Sequence, residues 1–280
     1  MIHLLMLVGS VVIARLWQQR LVKQIETEGG MRQTLLALVG PVLLVLLTAL
    51  ALVWMGPKGT MGSAWAGHLG HHVAELVLIV AAAIGVWQVG RAGWSWWAAR
   101  RHPLGGREGV VARVIPSQQL FAAQVGFWEP DLVVTQGLLE RLNLEQWAAV
   151  VAHEEAHRHY RDTFWFLIWG WMRVLSVGLP RTADLWQELI TLRELRADRW
   201  AAERVDPVVL AETLFLVSTD GINGSEWVGV GLSDPSQVGR LSQRIERLLE
   251  GYSVDRENEI EIGWGWLIPV LPLLVVPFHG

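Results

Sequence analysis

Long uninterrupted apolar runs dominate the first hundred residues. Residues 1–14 carry no charge, Arg15 is the first, and Trp17 follows closely. Between Arg32 and Lys58 lie 25 uncharged residues, with LLALVGPVLLVLLTALALVWM at their centre. A third run, LVLIVAAAIGVWQVG, separates Glu75 from Arg91 and exits through GWSWWAAR. A helix rises about 1.5 Å per residue and a bilayer's hydrocarbon core is about 30 Å thick, so the second run crosses it unaided. The shorter first run crosses if Arg15 snorkels and Trp17 sits at the interface. These runs predict a membrane region, 1–98, with three transmembrane helices at about 1–17, 34–56 and 75–97. A signal peptide at the start would need a basic n-region and a small-residue cleavage site, and both are missing.

From 99 to 262 the pattern becomes that of a folded domain. VVARVI (110–115), LFAAQV and DLVVT are short strand-like runs, the last two joined by GFWEP as a predicted hairpin around 120–135. Residues 124–127 are the candidate edge at which an extended peptide could add as a strand. In RLNLEQWAAVVAHEEAHRHYRD, Asn143 and Gln146 form a capping-box pattern and predict a helix to about Tyr160. TADLWQELITLRELRADRWAAERV reads as helix throughout. The Trp-rich TFWFLIWGWMRVLSVGLP (163–180) predicts a membrane-associated helix, with a buried core helix as its alternative. The last stretch, 263–280, is apolar and predicts a transmembrane or interfacial segment, although Pro269, Pro272 and Pro277 oppose a regular helix.

Composition sharpens this picture. Of 280 residues, 52% are hydrophobic and only 18% charged, against about 25% charged in soluble domains. Trp supplies 17 of the aromatic residues, beside two Tyr and six Phe, as expected of chains that meet a membrane–water interface. A net charge of -4 excludes a nucleic-acid footprint. The absence of cysteine excludes disulfides, thiolate metal sites and cysteine nucleophiles. Arg15, Arg20, Lys23 and Arg32 fill the first loop, Lys58 stands alone in the second, and Arg91, Arg100, Arg101 and Arg107 follow the third span. The positive-inside rule then predicts an outside N-terminus and a cytoplasmic domain after about residue 98.

The chemistry gathers on two predicted helices. His153 and His157 stand at i and i+4 in His-Glu-Glu-Ala-His, so both imidazoles leave one helix face and can bite one Zn²⁺ ion. Glu154, beside the first of them, can take a proton from an attacking water. Further on, Glu194 could reach the metal as a third ligand, and Asp198 could accept the spare N–H of a ligating His. The plain reading of that second helix is a solvated charged face carrying Arg193, Arg196 and Arg199. Arg244, Arg240, His159 and Tyr160 are available donors for a transition state, and His159 or Glu203 could close the site as a fourth ligand.

His153-Glu-Glu-Ala-His157 followed by Glu194-x-x-x-Asp198 among membrane spans resembles the integral-membrane gluzincin metallopeptidases. WAAVVAHEEAHRHYRD, ELRADRWAAE and PDLVVTQGLLERL carry the likeness, which covers about 110–250. The span layout resembles the antirepressor peptidases of the β-lactam sensor-transducers (the BlaR/MecR kind), without their penicillin-binding sensor domain. Ala197 resembles the branch of the HtpX heat-shock protease and the CAAX prenyl proteases. In that branch a His-Pro turn precedes the final helix, and Ser233-Asp234-Pro235 stands here instead. The resemblance implies a mainly α membrane protein, with transmembrane helices plus a cytoplasmic α+β zincin-like metallopeptidase domain and a small β-hairpin or sheet. It implies one Zn²⁺ per chain on His153, His157 and Glu194, with Asp198 in a second layer behind these ligands and Glu154 as general base.

The expected function is a membrane-anchored zinc endopeptidase acting on membrane or membrane-proximal proteins, in regulatory proteolysis or quality control. Its partners would be a protein or peptide substrate and the lipid bilayer of a bacterial cytoplasmic-type membrane, with no nucleic acid and room for a homodimer. The alternative is a non-catalytic membrane regulator or scaffold with a structural zinc. An ion transporter is disfavoured because the spans hold almost no charge besides Glu75. His68, His71 and His72, near Glu75, read as a polar loop at the membrane edge.

Overall fold

A computed structural model describes residues 2–28, 30–56, 64–221, 236–250, 264–274 and 276. It is mostly helical, with one small mixed sheet, and divides into two compact units. The first comprises Met1–Val89, Leu167–Ile190 and Asn258–Gly280; the second comprises Gly90–Phe166 and Thr191–Glu257.

In the first unit the apolar runs form α1 (Ile2–Glu28), α2 (Met31–Met55) and the start of α3 (Ala64–Arg100). Three stretches, His3–Ile25, Met31–Met55 and His68–Arg100, are long and apolar enough to cross a membrane. Helices α1 and α3 extend a few residues beyond these stretches, whereas α2 coincides with its own. Helices α1 and α2 lie close enough that Gly40 meets the Trp17 ring; a Cβ there would come within 2.8 Å of it. Gln18 is fully buried at this contact, and its amide donates to the Ala37 carbonyl at 3.2 Å, which offsets the cost of burying it.

Helix α6 (Asp162–Leu175) is shorter than the 163–180 run predicts, because the chain turns at Ser176–Leu179, with Gly178 at φ +87°. Its Trp171 indole donates to the Ala81 carbonyl of α3 at 2.9 Å. Near the C-terminus a 3-10 helix, Trp264–Val270, runs into one α turn, Leu271–Leu274, and packs on α2 at Leu36. Pro269 and Pro272 account for the tighter helix. This described helix is too short to cross a hydrocarbon core of about 30 Å.

The second unit carries the sheet. Its strands are β1 (Leu104–Arg107), β2 (Val110–Ile115), β3 (Ala122–Val125) and β4 (Asp131–Thr135), in the order β1-β2-β4-β3. β3 and β4 form the predicted antiparallel hairpin, β4 runs parallel to β2, and β3 is an edge. β1 is an addition to the sequence reading. It pairs with β2 through a tight turn at Glu108 (φ 52°) and Gly109 (φ 78°), the two-residue hairpin geometry that a following glycine favours.

Helices α4 (Gln136–Arg141), α5 (Leu144–His159), α7 (Thr182–Ala202), α8 (Pro207–Gly221) and α9 (Ser236–Glu250) complete the described elements. Asn143 caps α5 as predicted: its side chain accepts from Gln146 N at 2.8 Å, and Gln146 Oε1 accepts from Asn143 N at 3.1 Å. One face of α5 buries Trp147 against Ala112, Val134 and Leu138 of the sheet and α4. Further along, Ala149 and Ala152 pack on Ala201, Leu210, Ala211 and Leu248. Small side chains bring α7, α8 and α9 close to α5, so the His-bearing turn of α5 lies against α7.

Candidate metal centre

Helical spacing sets His153 and His157 one above the other on α5, with their Nε2 atoms 3.1 Å apart. Helix α7 brings Glu194 to them, Oε2 at 3.4 Å from His153 Nε2 and Oε1 at 3.8 Å from His157 Nε2. One donor atom from each residue lies within 4.8 Å of the others. Tetrahedral coordination with bonds of about 2.0–2.1 Å has donor–donor edges of about 3.3 Å, so these separations suit one small cation. Among the described residues this is the one group of three such side chains so arranged.

A second layer of carboxylates holds the imidazoles. His157 Nδ1 lies 2.7 Å from Asp162 Oδ2, and Arg196 grips the other oxygen of Asp162, a residue only 2% exposed. His153 Nδ1 lies 3.0 Å from Asp198 Oδ1 as an ion-pair contact without hydrogen-bond geometry. Asp198 is fully buried and accepts two N–H bonds from Arg244, Nε at 2.6 Å and Nη2 at 2.7 Å. Arg244 Nη1 stands 3.3 Å from Glu194 Oε2.

Asp162 is absent from the sequence reading although it closes the WAAVVAHEEAHRHYRD stretch. It lies five residues beyond His157, off the period of α5. Arg161, at φ 54°, reverses the chain and returns Asp162 to His157 at the start of α6. Helical periodicity cannot foresee that left-handed residue. A partner that fixes the tautomer of a metal-binding His typically contributes 10–100-fold in metal affinity. Asp162→Ala is therefore expected to weaken metal binding by about that factor, read by competition with a chelating dye.

Glu154 is 7% exposed, and its Oε2 has no hydrogen-bond partner among the described residues. A buried carboxylate oxygen without a donor is costly. It fits a position where water or substrate supplies the proton. The backbone carbonyl of Glu154 accepts from Gln124 Nε2 at 3.1 Å, so β3, an edge of the sheet, is tied to this turn of α5.

Burial opposes charge on His153, yet the adjoining Asp198 and Glu194 outweigh it and raise its pKa to about 9. Burial likewise works against ionised Glu194, but Arg193, His153, Arg244 and His157 hold its carboxyl well below the usual range. Asp198 is held low against its burial by Arg244 and His153. A metal ligand must be neutral imidazole, so binding below pH 9 displaces a proton from His153. Apparent affinity should rise about tenfold per pH unit as pH approaches 9 from below and level off above it. Calorimetry in buffers of different ionisation enthalpy should find about one proton released at pH 7. In the metal-free protein the raised pKa contributes stability that is fully present below about 6.5 and is lost as pH rises through 9.

His159 and Glu203 do not join the donor group. His159 stacks on Trp200 at 4.2 Å, and Glu203 stands 3.4 Å from Arg204. Arg240 is half-buried one turn before Arg244. Ser233-Asp234-Pro235 lies outside the described residues. In the first unit, His71 and His72 both face Glu75, at 3.2 and 2.9 Å.

No curated protein and no solved structure matches the chain. Glu194 and Asp198 lie beyond the residues matched by a family profile, so their place in the site rests on geometry. Residues 99–179, which carry the sheet, α4, α5 and the Asp162 turn, match the sequence profile of Peptidase family M48 and support a metallopeptidase of that type.

Proposed function

We propose that the protein is a membrane-anchored zinc endopeptidase, with His153, His157 and Glu194 holding one Zn²⁺ and Glu154 acting as general base. The observation that carries this reading is the unpartnered Glu154 carboxylate, buried beside a donor group of tetrahedral dimensions. Zinc bound there would supply Lewis acidity, polarising the scissile carbonyl and acidifying a water. Glu154 would take that water's proton at Oε2 and return it to the leaving amine. Asp162 orients the His157 imidazole and Asp198 stands beside that of His153, and Arg196 and Arg244 hold those two carboxylates in place. An extended substrate would add along β3, whose Gln124 fixes the strand to Glu154.

The separation of His159 and Glu203 from the donor group speaks against a closed, purely structural site. Three apolar helices support an integral membrane protein, and the arginine distribution supports a cytoplasmic active site and an outside N-terminus. Trp96 and Arg100, at the end of α3, bind Asp131 at 3.3 and 2.9 Å and tie the sheet to that helix end. A membrane anchor suits membrane proteins or their exposed loops as substrates. The span layout favours antirepressor-like regulation and the buried Ala197 favours HtpX-like quality control. Comparing proteomes of cells with wild-type and Glu154→Gln protein separates these: one accumulating soluble repressor against many accumulating membrane proteins. Purified full-length protein in proteoliposomes should cleave casein, lose this to a chelator and regain it with zinc. Cleavage that survives complete zinc removal contradicts the reading.

A further inference from the structure

Three arginines surround the donor group, and each pairs with a carboxylate. Arg196 is bound to Asp162, and Arg244 makes a two-pronged pair with Asp198. Both carboxylates are almost fully buried and oriented towards an imidazole, so these pairs serve the ligands. Arg193 is different. Its Nε and Nη2 converge on a single oxygen, Glu194 Oε1, at 2.9 and 2.6 Å. Its Nη1 has no hydrogen-bond partner among the described residues. The Arg193 side chain is also the most exposed of the three, 28% against 22% for Arg196 and 14% for Arg244. Phe166 lies beneath its guanidinium at 4.6 Å and steadies it.

Once Glu194 serves as ligand to a dication, its charge is compensated there, and Arg193 no longer needs to balance it. A cation facing another cation across a shared carboxylate calls for further negative charge. In peptide hydrolysis that charge develops on the oxygen of the scissile carbonyl. We infer that Arg193 is a catalytic residue: its guanidinium donates to that oxyanion from the Glu194 side of the site. The inference rests on the peptidase reading. It also assigns the donor that the sequence leaves open at Ser233-Asp234-Pro235, with Arg193 in place of Arg240, Arg244 or His159.

Full-length Arg193→Gln and Arg193→Lys, in proteoliposomes, test the assignment against wild type and Glu154→Gln. The readouts are casein cleavage, zinc affinity by dye competition, and the Ki of a phosphinic pseudopeptide built on a casein cleavage site. For Arg193→Gln, kcat should fall about 10²–10³-fold, as for other lost oxyanion donors, with KM little changed. The phosphinate, a mimic of the tetrahedral oxyanion, should bind more weakly by a similar factor. Zinc affinity should stay within about threefold, because the three ligands and both imidazole-orienting carboxylates remain. Lysine should restore part of the loss, as a point charge without the fork.

Zinc affinity that falls tenfold or more, with kcat restored by excess zinc, would make Arg193 a holder of Glu194 and overturn the assignment. Wild-type kcat and phosphinate affinity in Arg193→Gln would overturn it too, while leaving the peptidase reading intact. If wild-type protein does not cleave casein, the peptidase reading itself fails and this assignment falls with it.

Discussion

Glu154→Gln is expected to keep zinc and fold while cleavage falls by about 10²–10⁴-fold, the usual range for a lost general base. The substituted amide has the same shape and stays in the same cavity. It cannot accept the proton that Glu154 Oε2, unpartnered among the described residues, is placed to receive. Because the Glu154 side chain makes no described hydrogen bond through that oxygen, little native interaction is lost. The thermal midpoint should move little and zinc stoichiometry should remain one per chain, as measured by atomic emission on purified protein. Undiminished proteolysis by the variant would sink the proposed mechanism.

The largest effect on stability is expected at Asp198. It is fully buried, accepts two charged N–H bonds from Arg244 and stands 3.0 Å from His153. Asp198→Ala would strand Arg244, only 14% exposed, without its principal partner. Breaking a buried pair from one side typically costs about 3–5 kcal/mol, since desolvation of the remaining charge goes uncompensated. Arg244 also approaches Glu194 at 3.3 Å, and once freed it would compete with metal for that carboxylate. A melting midpoint lowered on the order of 10 °C is expected together with zinc affinity weakened about 10–100-fold. Asp198→Asn, which keeps the shape and one acceptor, should fall between the two. A fluorescence melt of Asp198→Ala that overlays wild type would show that the pair carries no such weight.

Much of this architecture could be read from local pattern. The Asn143–Gln146 box marks where α5 begins, and the i, i+4 histidines mark its functional face. The β3–β4 hairpin follows from two strand-like runs around a turn. What escaped depends on single backbone choices or on tertiary contact. Strand β1 hinges on Glu108 and Gly109 at positive φ, a short signal beside weak strand residues. Asp162 reaches His157 only because Arg161 adopts a left-handed conformation. The arginines of α7 read as a solvated face, yet Arg193 and Arg196 turn inward because carboxylates await them there. Arg244, on α9, is distant in sequence from both carboxylates it meets, and no local period announces that contact.

One zinc held by two histidines and one glutamate, with a position left open, underlies the peptidase reading. Zinc-edge X-ray absorption on purified full-length protein tests it most directly. One zinc per chain is expected, with two imidazole nitrogens and carboxylate oxygen at about 2.0–2.2 Å, plus an exchangeable light atom. His153→Ala, His157→Ala and Glu194→Ala should each lose that spectrum. No stoichiometric zinc, or an unchanged coordination shell in any of those three variants, would contradict it.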